Sequence, residues 1–526
     1  MTSQGDAMAM QRAAGQPAPS MAGRRGWTRD IHMSPSLIFS GILVLAAALR
    51  VVELGWHSVW LDEAFVVSVT RESWRGLLTT LRAADSHPPL YYLLIKAWTD
   101  VAGTGETALR FPSAFASVAT VALTYALARR VAGTPAALLS AFLVAMSPFA
   151  IMAGQEARMY ALLGMLAVGS TLALRTAVDE GGRLRWGVYA LTAVLIAYTH
   201  YLGLLVLIGH GLWIVGYERK HTGAWLVSMA VVAAAFAPWL PALVHQTLHA
   251  PTSGWYRSGD LPMALADLAG LLAFGGSLVG TAGYLTWYTG GLGPLETIVL
   301  LFPFLVLLWF GGQALRARHS SLPLVALPAL VPIAVLFGIS LVHPMFVPRW
   351  FSFVAPFYAM VVAAGVWHIV ERFEGRRDQA IVFLVAALFL YNGPALGEYY
   401  FAPDARPFQW RQAAAVVGDH VRPGDFFLYV SPADLPFRYY FRDPYPSTVL
   451  PSPEAPVATG GTLTAPGARD LARRYPRVWL VATLPFGGPA QDRLFSALNG
   501  VYGMVWHGDF GGAHVFLLER RGAAVR

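Results

Sequence analysis

The sequence predicts an all-α, polytopic membrane domain of about eleven transmembrane helices, followed by a small soluble α/β domain. Only 13% of the 526 residues are charged and 56% are hydrophobic, whereas soluble domains carry roughly 25% charged residues. Apolar runs of about 20 residues, long enough to cross a bilayer, recur along residues 36–400. From residue 401 onwards the pattern changes to short strand-like and helical segments separated by Pro and Gly.

The segment before the first apolar run, residues 1–35, is polar and rich in Gly, Pro and Ala, and it contains Arg12, Arg24, Arg25 and Arg29. It lacks the apolar core and the cleavage site of a signal peptide. We therefore interpret it as a disordered cytoplasmic tail, and the first span as an uncleaved anchor.

The apolar runs divide into about eleven predicted spans, of which two short ones share Trp186–Tyr217 on either side of Thr199–Tyr201. The others are Ser36–Leu54, Arg110–Ala128, Pro135–Met152, Ala157–Leu174, Ala224–Leu243, Leu295–Phe310, Leu322–Leu341, Trp350–Val370 and Gln379–Tyr391. Leu261–Leu278 is also apolar, but Pro262, Asp267 and several glycines interrupt it. We expect that segment to be re-entrant or interfacial.

With this span count, the pairs of basic residues between the spans all fall on one side of the membrane. They are Arg129/Arg130, Arg183/Arg185, Arg219/Lys220, Arg316/Arg318 and Arg376/Arg377. The positive-inside rule assigns that side to the cytoplasm. It also accounts for the formal net charge of +8 without a nucleic-acid partner, since no basic stripe or nucleic-acid module is present. The first loop, residues 55–109, and the C-terminal domain, residues 401–526, are then external.

Within the first external loop, Trp74, Leu77, Leu78 and Leu81 follow the spacing of one helix face, which is typical of a helix lying in the membrane interface. Pro88–Val101 is apolar but short for a span, and we expect a second juxtamembrane helix there.

Asp62 and Glu63 are adjacent carboxylates that we place in the loop after the first span. They are either acids in the first turn of a helix, which the helix dipole favours, or part of an active site at the external membrane face. In the second case one carboxylate would take a proton from an acceptor hydroxyl, beneath the apolar neighbours Trp60, Leu61 and Phe65.

Other polar side chains fall in loops on the same predicted face. His87 either starts a helix with the two prolines that follow it or contacts a phosphate. Glu156 and Arg158 are either a local ion pair or part of the site, because charged groups at membrane depth are costly and usually functional. His200 with Tyr201 is either an interface anchor or part of the same site.

Arg349 is an arginine on the face where arginines are scarce, so it either anchors the chain at the lipid headgroups or grips a lipid phosphate. Asp62 and Glu156 together are candidate ligands for a divalent cation such as Mg²⁺ or Mn²⁺. The absence of cysteine excludes disulfides and Cys-based metal sites.

The C-terminal domain is predicted to contain both strands and helices. The predicted strands are Asp425–Val430, Arg477–Val481, Gly503–Trp506 and Val515–Leu518, and the predicted helices are Gln409–Val421 and Gln491–Leu498. No catalytic constellation is evident among these residues, and we interpret the domain as a lid or an acceptor-docking module.

A set of short motifs in a fixed order carries a family resemblance. The motifs are Trp60–Phe65, His87–Tyr92, Ala108–Ser113, Ser147-Pro148 and Gln155–Tyr160. In this order they resemble the GT-C glycosyltransferases of the dolichyl-phosphate-mannose protein mannosyltransferase type, whose bacterial relatives include the aminoarabinose and galacturonic-acid transferases that modify lipid A. The resemblance covers residues 60–160, and the rest of the chain agrees in topology only.

The resemblance implies an inverting transfer of a hexose or pentose from a polyprenyl-phosphate donor to a lipid, polysaccharide or protein acceptor, at the external face of a bacterial-type inner membrane. Asp62 would be the catalytic carboxylate, with Glu63 beside it. The resemblance also places the external carboxylate of the second loop on Glu156 and the basic residue near a late span on Arg349. With the other polar residues of the same predicted face, they are the candidates for binding the donor phosphate or the acceptor: His87, Tyr91, Glu156, Arg158, Tyr160, His200, Tyr201 and Arg349. The alternative is a transporter or flippase of a lipid-linked saccharide, although the charges gather at one face and no inverted repeat is evident.

Overall fold

The computed structural model describes residues 34–249, 294–318, 320–342, 346–373, 375–401, 408–442, 444–450, 463–483 and 489–522. The predicted N-terminal tail, apart from its last two residues, and the predicted re-entrant segment Leu261–Leu278 lie outside these ranges. The described residues form a helical membrane domain and a C-terminal domain built on a five-stranded sheet. The predicted fold class is therefore confirmed.

The helices of the membrane domain follow one another with short connections. They are α1 (Pro35–Val51), α2 (Leu61–Thr70), α3 (Trp74–Ala84), α4 (Leu90–Ala102), α5 (Glu106–Val131), α6 (Thr134–Met146), α7 (Pro148–Gln155), α8 (Tyr160–Glu180), α9 (Arg183–Thr199), α10 (Leu202–Tyr217), α11 (Thr222–Phe236), α12 (Leu240–His249), α13 (Pro294–Arg316), α14 (Ser321–Ser340), α15 (Ala355–Val370) and α16 (Arg377–Phe401). Each predicted span coincides with one of these helices or with a consecutive pair.

Five helical runs among the described residues are long and apolar enough to cross a membrane, and the bent pair α6–α7 would be a sixth. The five are Glu106–Val131, Tyr160–Glu180, Arg219–His249, Ser321–Ser340 and Arg349–Val370. Shorter apolar helices cover Pro35–Val51, Leu202–Tyr217 and Phe302–Arg316. The chain is thus an integral membrane protein, and the count of about eleven spans stays a prediction.

Two breaks in the helices lie where the site is built. The predicted split of Trp186–Tyr217 is confirmed, because His200 is extended (φ −160°, ψ 142°) between α9 and α10. The predicted third span, Pro135–Met152, is instead bent by 55° between α6 and α7. Ser147 is extended there, as the residue before a proline tends to be, and its hydroxyl accepts a hydrogen bond from the N–H of Ala150 in the first turn of α7.

The first loop contains three short helices. Asp62 and Glu63, which we expected in a loop, lie in the first turn of α2, where negative charge complements the helix dipole. The predicted interfacial helix is α3, with Leu77 and Leu81 fully buried on its inner face and Trp74 on the outside. The predicted juxtamembrane helix is α4.

Close helix packing supports the membrane domain. Gly311 of α13 packs against α15, and a Cβ there would collide with the carbonyl oxygen of Val361. Gly365 of α15 packs against α13, and a Cβ there would collide with the carbonyl oxygen of Leu307. Glycine is therefore required for these backbones to approach, as is common between membrane helices.

The C-terminal domain is a mixed sheet flanked by helices. Its elements are α17 (Trp410–His420), β1 (Phe426–Val430), α18 (Asp434–Tyr440), β2 (Ser447–Leu450), α19 (Ala465–Arg474), β3 (Arg477–Thr483), α20 (Pro489–Asn499), β4 (Tyr502–Phe510) and β5 (Ala513–Arg520). The strand order is β2-β1-β3-β5-β4, with β1 parallel to β2 and β3, and with β5 antiparallel to β3 and β4. All four predicted strands and both predicted helices are present, whereas β2, α18 and α19 were not predicted.

Candidate active site

Glu63 is a fully buried carboxylate paired with Arg110 of α5. Its two oxygens accept hydrogen bonds from Nε and Nη2 of Arg110 at 2.7 and 2.6 Å. The backbone N–H of Ala157 donates a third, at 2.9 Å. A bidentate arginine–carboxylate pair with a further backbone donor satisfies a charge that would be costly to bury alone.

Arg110 uses all five of its N–H donors. Besides its two bonds to Glu63, it donates to the carbonyl oxygens of Leu54 (2.9 Å), His57 (3.0 Å) and Ser58 (3.1 Å). These carbonyls belong to the loop that enters α2, so the guanidinium ties that loop to α5. Both oxygens of Glu63 are therefore occupied by contacts within the protein.

Asp62, one residue earlier, points to a different environment. Its Oδ2 accepts a hydrogen bond from Nη2 of Arg349 at 3.2 Å and lies 3.7 Å from Nε of Arg158. The Asp62 side chain is 16% exposed, and Arg349 is 31% exposed and lies over the ring of Trp60 at 5.0 Å. A partly exposed carboxylate between two cations thus forms the centre of the site.

Glu156 follows α7 and lies in the same charged cluster. Burial raises the pKa of Glu156 to about 7, with Glu63 and Asp62 adding to the rise and Arg349 and Arg158 opposing it. A carboxyl group with such a pKa exchanges its proton near neutral pH. The sequence indicated a second carboxylate here but not its protonation.

His87 and His200 lie edge to face, with ring centroids 5.2 Å apart. Nδ1 of His87 lies 3.1 Å from Oδ1 of Asp85. Burial alone would raise the pKa of Asp85, but its interactions with His87, Arg158 and Tyr92 together outweigh burial, and the pKa falls below its usual value. Asp85 is therefore an anion that orients the ring of His87.

His200 presents a neutral N–H to the interior. Burial, together with the charges of His87 and Arg158, lowers the pKa of His200 well below its usual value. Its Nδ1 accepts the N–H of Leu202 at 3.1 Å, so the ring proton is on Nε2. Nε2 of His200, the hydroxyl of Tyr160 and Nε of Arg158 are all buried without a hydrogen-bond partner among the described residues.

These three unsatisfied donors lie close together. The ring of Tyr160 is 6.1 Å from that of His200 and 6.0 Å from the guanidinium carbon of Arg158. Buried donors without partners are rare and destabilising. They are grouped with Arg158, whose Nε lies 3.7 Å from Oδ2 of Asp62, and this grouping indicates a place for an oxygen-rich ligand.

Two predicted binding residues point elsewhere. The hydroxyl of Tyr91 bonds Ser113 at 2.9 Å, and that of Tyr201 donates to Gln246 and accepts from Nε1 of Trp239. Both hydroxyls are used in hydrogen bonds that connect helices, although Tyr91 lies near the charges of Glu63, Arg158 and Glu156.

Sequence reasoning missed Asp85 and Arg110 as parts of the site, and Tyr92, whose hydroxyl accepts from Nη1 of Arg158 at 3.3 Å. One signal was available for Arg110, which begins a predicted span on the face where arginines are scarce, as Arg349 does. No sequence pattern indicated Asp85, because its contact with His87 depends on the position of the His87 ring in the folded structure.

Among the described residues, no group of three or more His, Asp or Glu side chains is placed to hold a metal ion. Asp62 and Glu156 remain the two carboxylates that a divalent cation would meet. Mg²⁺ is commonly bound by one or two carboxylates together with phosphate oxygens and waters, so these two residues fit such an ion only in the presence of a phosphate ligand.

A family model described as dolichyl-phosphate-mannose-protein mannosyltransferase matches residues 86–241. That range includes His87, Glu156, Arg158 and His200, whereas Asp62 lies before it. No curated protein matches the chain.

Solved structures of two membrane glycosyltransferases are similar in fold. ArnT from Cupriavidus metallidurans, bound to undecaprenyl phosphate, is similar with a TM-score of 0.57 and 14% identity, covering 93% of this chain and 99% of that one. The oligosaccharyltransferase AglB from Archaeoglobus fulgidus, with an inhibitory peptide and a dolichol-phosphate, gives a TM-score of 0.55 and 14% identity, covering 92% and 74%. The same oligosaccharyltransferase with Zn and sulfate gives 0.55 and 15%, covering 91% and 72%. The predicted resemblance to GT-C glycosyltransferases is thereby confirmed.

Replacing Arg110 by Met should lower the free energy of unfolding by about 3–5 kcal/mol, because Glu63 would be left as an unpaired buried charge. Thermal or denaturant unfolding of the detergent-solubilised protein measures it. Arg185→Gln is the control, since it breaks an exposed pair with Glu180 and an exposed hydrogen bond to the carbonyl oxygen of Gly181, and it should cost under about 1 kcal/mol. If both variants lowered the free energy of unfolding by the same small amount, the structural role of the Glu63–Arg110 pair would be contradicted.

Glu156 should titrate near neutral pH, because its pKa is about 7. The infrared difference spectrum between the wild type and Glu156→Gln should show the C=O stretch of a protonated carboxyl at about pH 6 and lose it by about pH 8. If the band is absent at the lower pH, Glu156 is ionised throughout and its burial does not set its pKa.

Proposed function

We propose that the protein is an inverting glycosyltransferase, which moves a sugar from a polyprenyl-phosphate donor to a hydroxyl of a lipid, polysaccharide or protein acceptor. The reaction would take place at the external face of a bacterial-type inner membrane. The observation that carries the proposal is the position of Asp62, a partly exposed carboxylate 3.2 Å from Arg349 and 3.7 Å from Arg158. Such a group combines a base with cations that recognise phosphate.

The comparisons support the donor class. Undecaprenyl phosphate and dolichol-phosphate are bound in the similar structures of ArnT and AglB, and the matching family model is named for a dolichyl-phosphate-mannose donor. The two bound lipids are polyprenyl phosphates without a sugar, and dolichyl-phosphate-mannose is such a lipid with the sugar attached.

The reaction is a single displacement. Asp62 takes the proton of the acceptor hydroxyl, and the acceptor oxygen attacks the anomeric carbon of the sugar. The bond between that carbon and the phosphate oxygen breaks, and its electron pair leaves with the polyprenyl phosphate. Because attack and departure are on opposite faces of the anomeric carbon, its configuration inverts.

The leaving phosphate is a stable anion, so positive charge matters more than a general acid. Arg349 and Arg158 lie where they would contact it, and Arg349 is the more exposed of the two. A phosphate that takes the guanidinium of Arg349 also draws that cation from Asp62. Donor binding would thereby make the carboxylate available to the acceptor proton.

The unsatisfied donors beside Asp62 suit the sugar or the phosphate oxygens. Nε2–H of His200 and the hydroxyl of Tyr160 are buried donors without a hydrogen-bond partner among the described residues, so they can bind hydroxyl or phosphate oxygens. His87, oriented by Asp85, lies at the edge of the same cluster. Glu63 acts only by holding α2 in place.

A divalent cation would be held by Asp62, Glu156 and the donor phosphate, and it would supply charge that stabilises the departing phosphate. A solved structure of the similar archaeal enzyme contains Zn.

Asp62→Asn should leave the protein folded and inserted while lowering sugar transfer by about 10²–10⁴-fold, the contribution expected of a general base. Transfer of radiolabelled sugar from a polyprenyl-phosphate donor in membranes measures it. Asp100→Asn is the control, because Asp100 is an exposed acid paired with Lys96 on α4. Near-wild-type transfer by Asp62→Asn would remove Asp62 from the mechanism.

The cation hypothesis has a direct binding test. Mn²⁺ added to the purified protein with an undecaprenyl phosphate ligand should bind, as seen by electron paramagnetic resonance, and Glu156→Gln should weaken binding by about tenfold or more. Chelator should lower transfer in the wild type. Equal Mn²⁺ binding by wild type and Glu156→Gln would exclude Glu156 as a ligand.

A further inference from the structure

The loop of residues 54–60, which leads directly into Asp62, is held from two sides. From the membrane domain, Arg110 binds the carbonyl oxygens of Leu54, His57 and Ser58. From the other side, two residues of the C-terminal domain, Arg411 and Tyr440, bind groups of the loop that Arg110 does not contact. Almost every residue of the loop therefore has a fixed partner.

Arg411, in the first turn of α17, makes three contacts to the loop and a fourth to Glu106 of α5. Its guanidinium donates to the carbonyl oxygens of Gly55 (2.9 Å) and Trp56 (3.3 Å) and to Oε1 of Glu106 (2.7 Å). Its backbone N–H donates to the hydroxyl of Ser58 at 3.2 Å. One side chain thus bridges the C-terminal domain, the loop and the start of α5.

Tyr440, at the end of α18, completes the arrangement. Its hydroxyl accepts the N–H of Val59 at 2.6 Å and donates to Oε1 of Glu106 at 3.0 Å. Val59 immediately precedes Trp60, the residue over which Arg349 lies. The Tyr440 hydroxyl therefore fixes the peptide from which α2 begins.

Glu106 connects these contacts to the buried pair. It lies one helical turn before Arg110 on α5, and Arg110 binds Glu63, the neighbour of Asp62. Gly55 packs against the side chain of Thr107 so closely that a Cβ would not fit. The loop is thus held tightly between α5 and the C-terminal domain.

We propose that Arg411, Tyr440 and Glu106 form a latch, through which the C-terminal domain positions Asp62 for proton transfer. The latch residues touch no reacting atom in the proposed reaction, so they are positioning residues. The inference rests on the proposed function, because sugar transfer is its readout. It assigns the C-terminal domain a role in catalysis beyond that of a lid.

The latch should affect the rate of the reaction more than donor binding. The cations placed to hold the donor phosphate lie on other segments than the latch residues, Arg158 between α7 and α8 and Arg349 before α15. Loss of the latch would move Asp62 relative to them, and a misplacement of about 1 Å can cost about 100-fold in rate. Arg411 is 44% exposed, and exposed ion pairs contribute little to stability, so latch variants should fold.

Tyr440→Phe and Arg411→Gln test the latch. Each should lower kcat by about ten- to a hundredfold and change the KM for the polyprenyl-phosphate donor by less than about twofold. Normalising kcat to the amount of protein that binds undecaprenyl phosphate separates slower molecules from fewer folded ones. Arg411→Lys, which keeps a cation for Glu106 but loses the grip on two carbonyls, should recover part of the rate.

Arg438→Gln is the matched control. Arg438 is on the same short helix as Tyr440, but its guanidinium bonds Ser447 at 3.0 Å within the C-terminal domain. It should leave normalised kcat unchanged. Wild-type kcat in both Tyr440→Phe and Arg411→Gln, or a loss equal to that of Arg438→Gln, would overturn the latch. If Asp62→Asn is inactive in the same assay, that failure concerns the latch alone and leaves the proposed function standing.

Discussion

Glu63 and Arg110 carry opposite charges in a region closed to water, and either would be strongly destabilising if buried alone. Together they satisfy each other, and Arg110 also binds three carbonyls of the loop before α2. Through Ala157, Glu63 is joined to the segment between α7 and α8. One ion pair therefore connects the loop, α2, α5 and the Glu156–Arg158 segment.

Two adjacent acids take opposite roles because successive residues on a helix point about 100° apart. Glu63 turns inward to a single arginine and becomes part of the core. Asp62 turns towards the cluster in which Arg158 and Arg349 lie, and it keeps some exposure to solvent. Each carboxylate has cations of its own, so the repulsion between neighbouring charges is offset on both sides.

The lengths of the apolar runs predicted most of the helices. An apolar run long enough to cross a bilayer must satisfy its backbone hydrogen bonds internally, which favours a helix. The convergence of Asp62, Glu156 and His200 followed from counting spans. The start of α2 was not predictable, since Trp60 offers no side-chain oxygen to cap it. Strand β2 has four residues, three of them exposed, and carries no apolar alternation. The pairing of Glu63 with Arg110 joins residues 47 apart, which no local pattern encodes.

The site is assembled from distant parts of the chain. Asp62 and Arg349 are 287 residues apart, and Val59 and Tyr440 are 381 apart. Closing such long loops before the intervening helices have packed is entropically costly. We therefore expect the charged cluster to form late in folding. Its completion requires both the late segment before α15, which brings Arg349, and the C-terminal domain, which fixes the loop before α2.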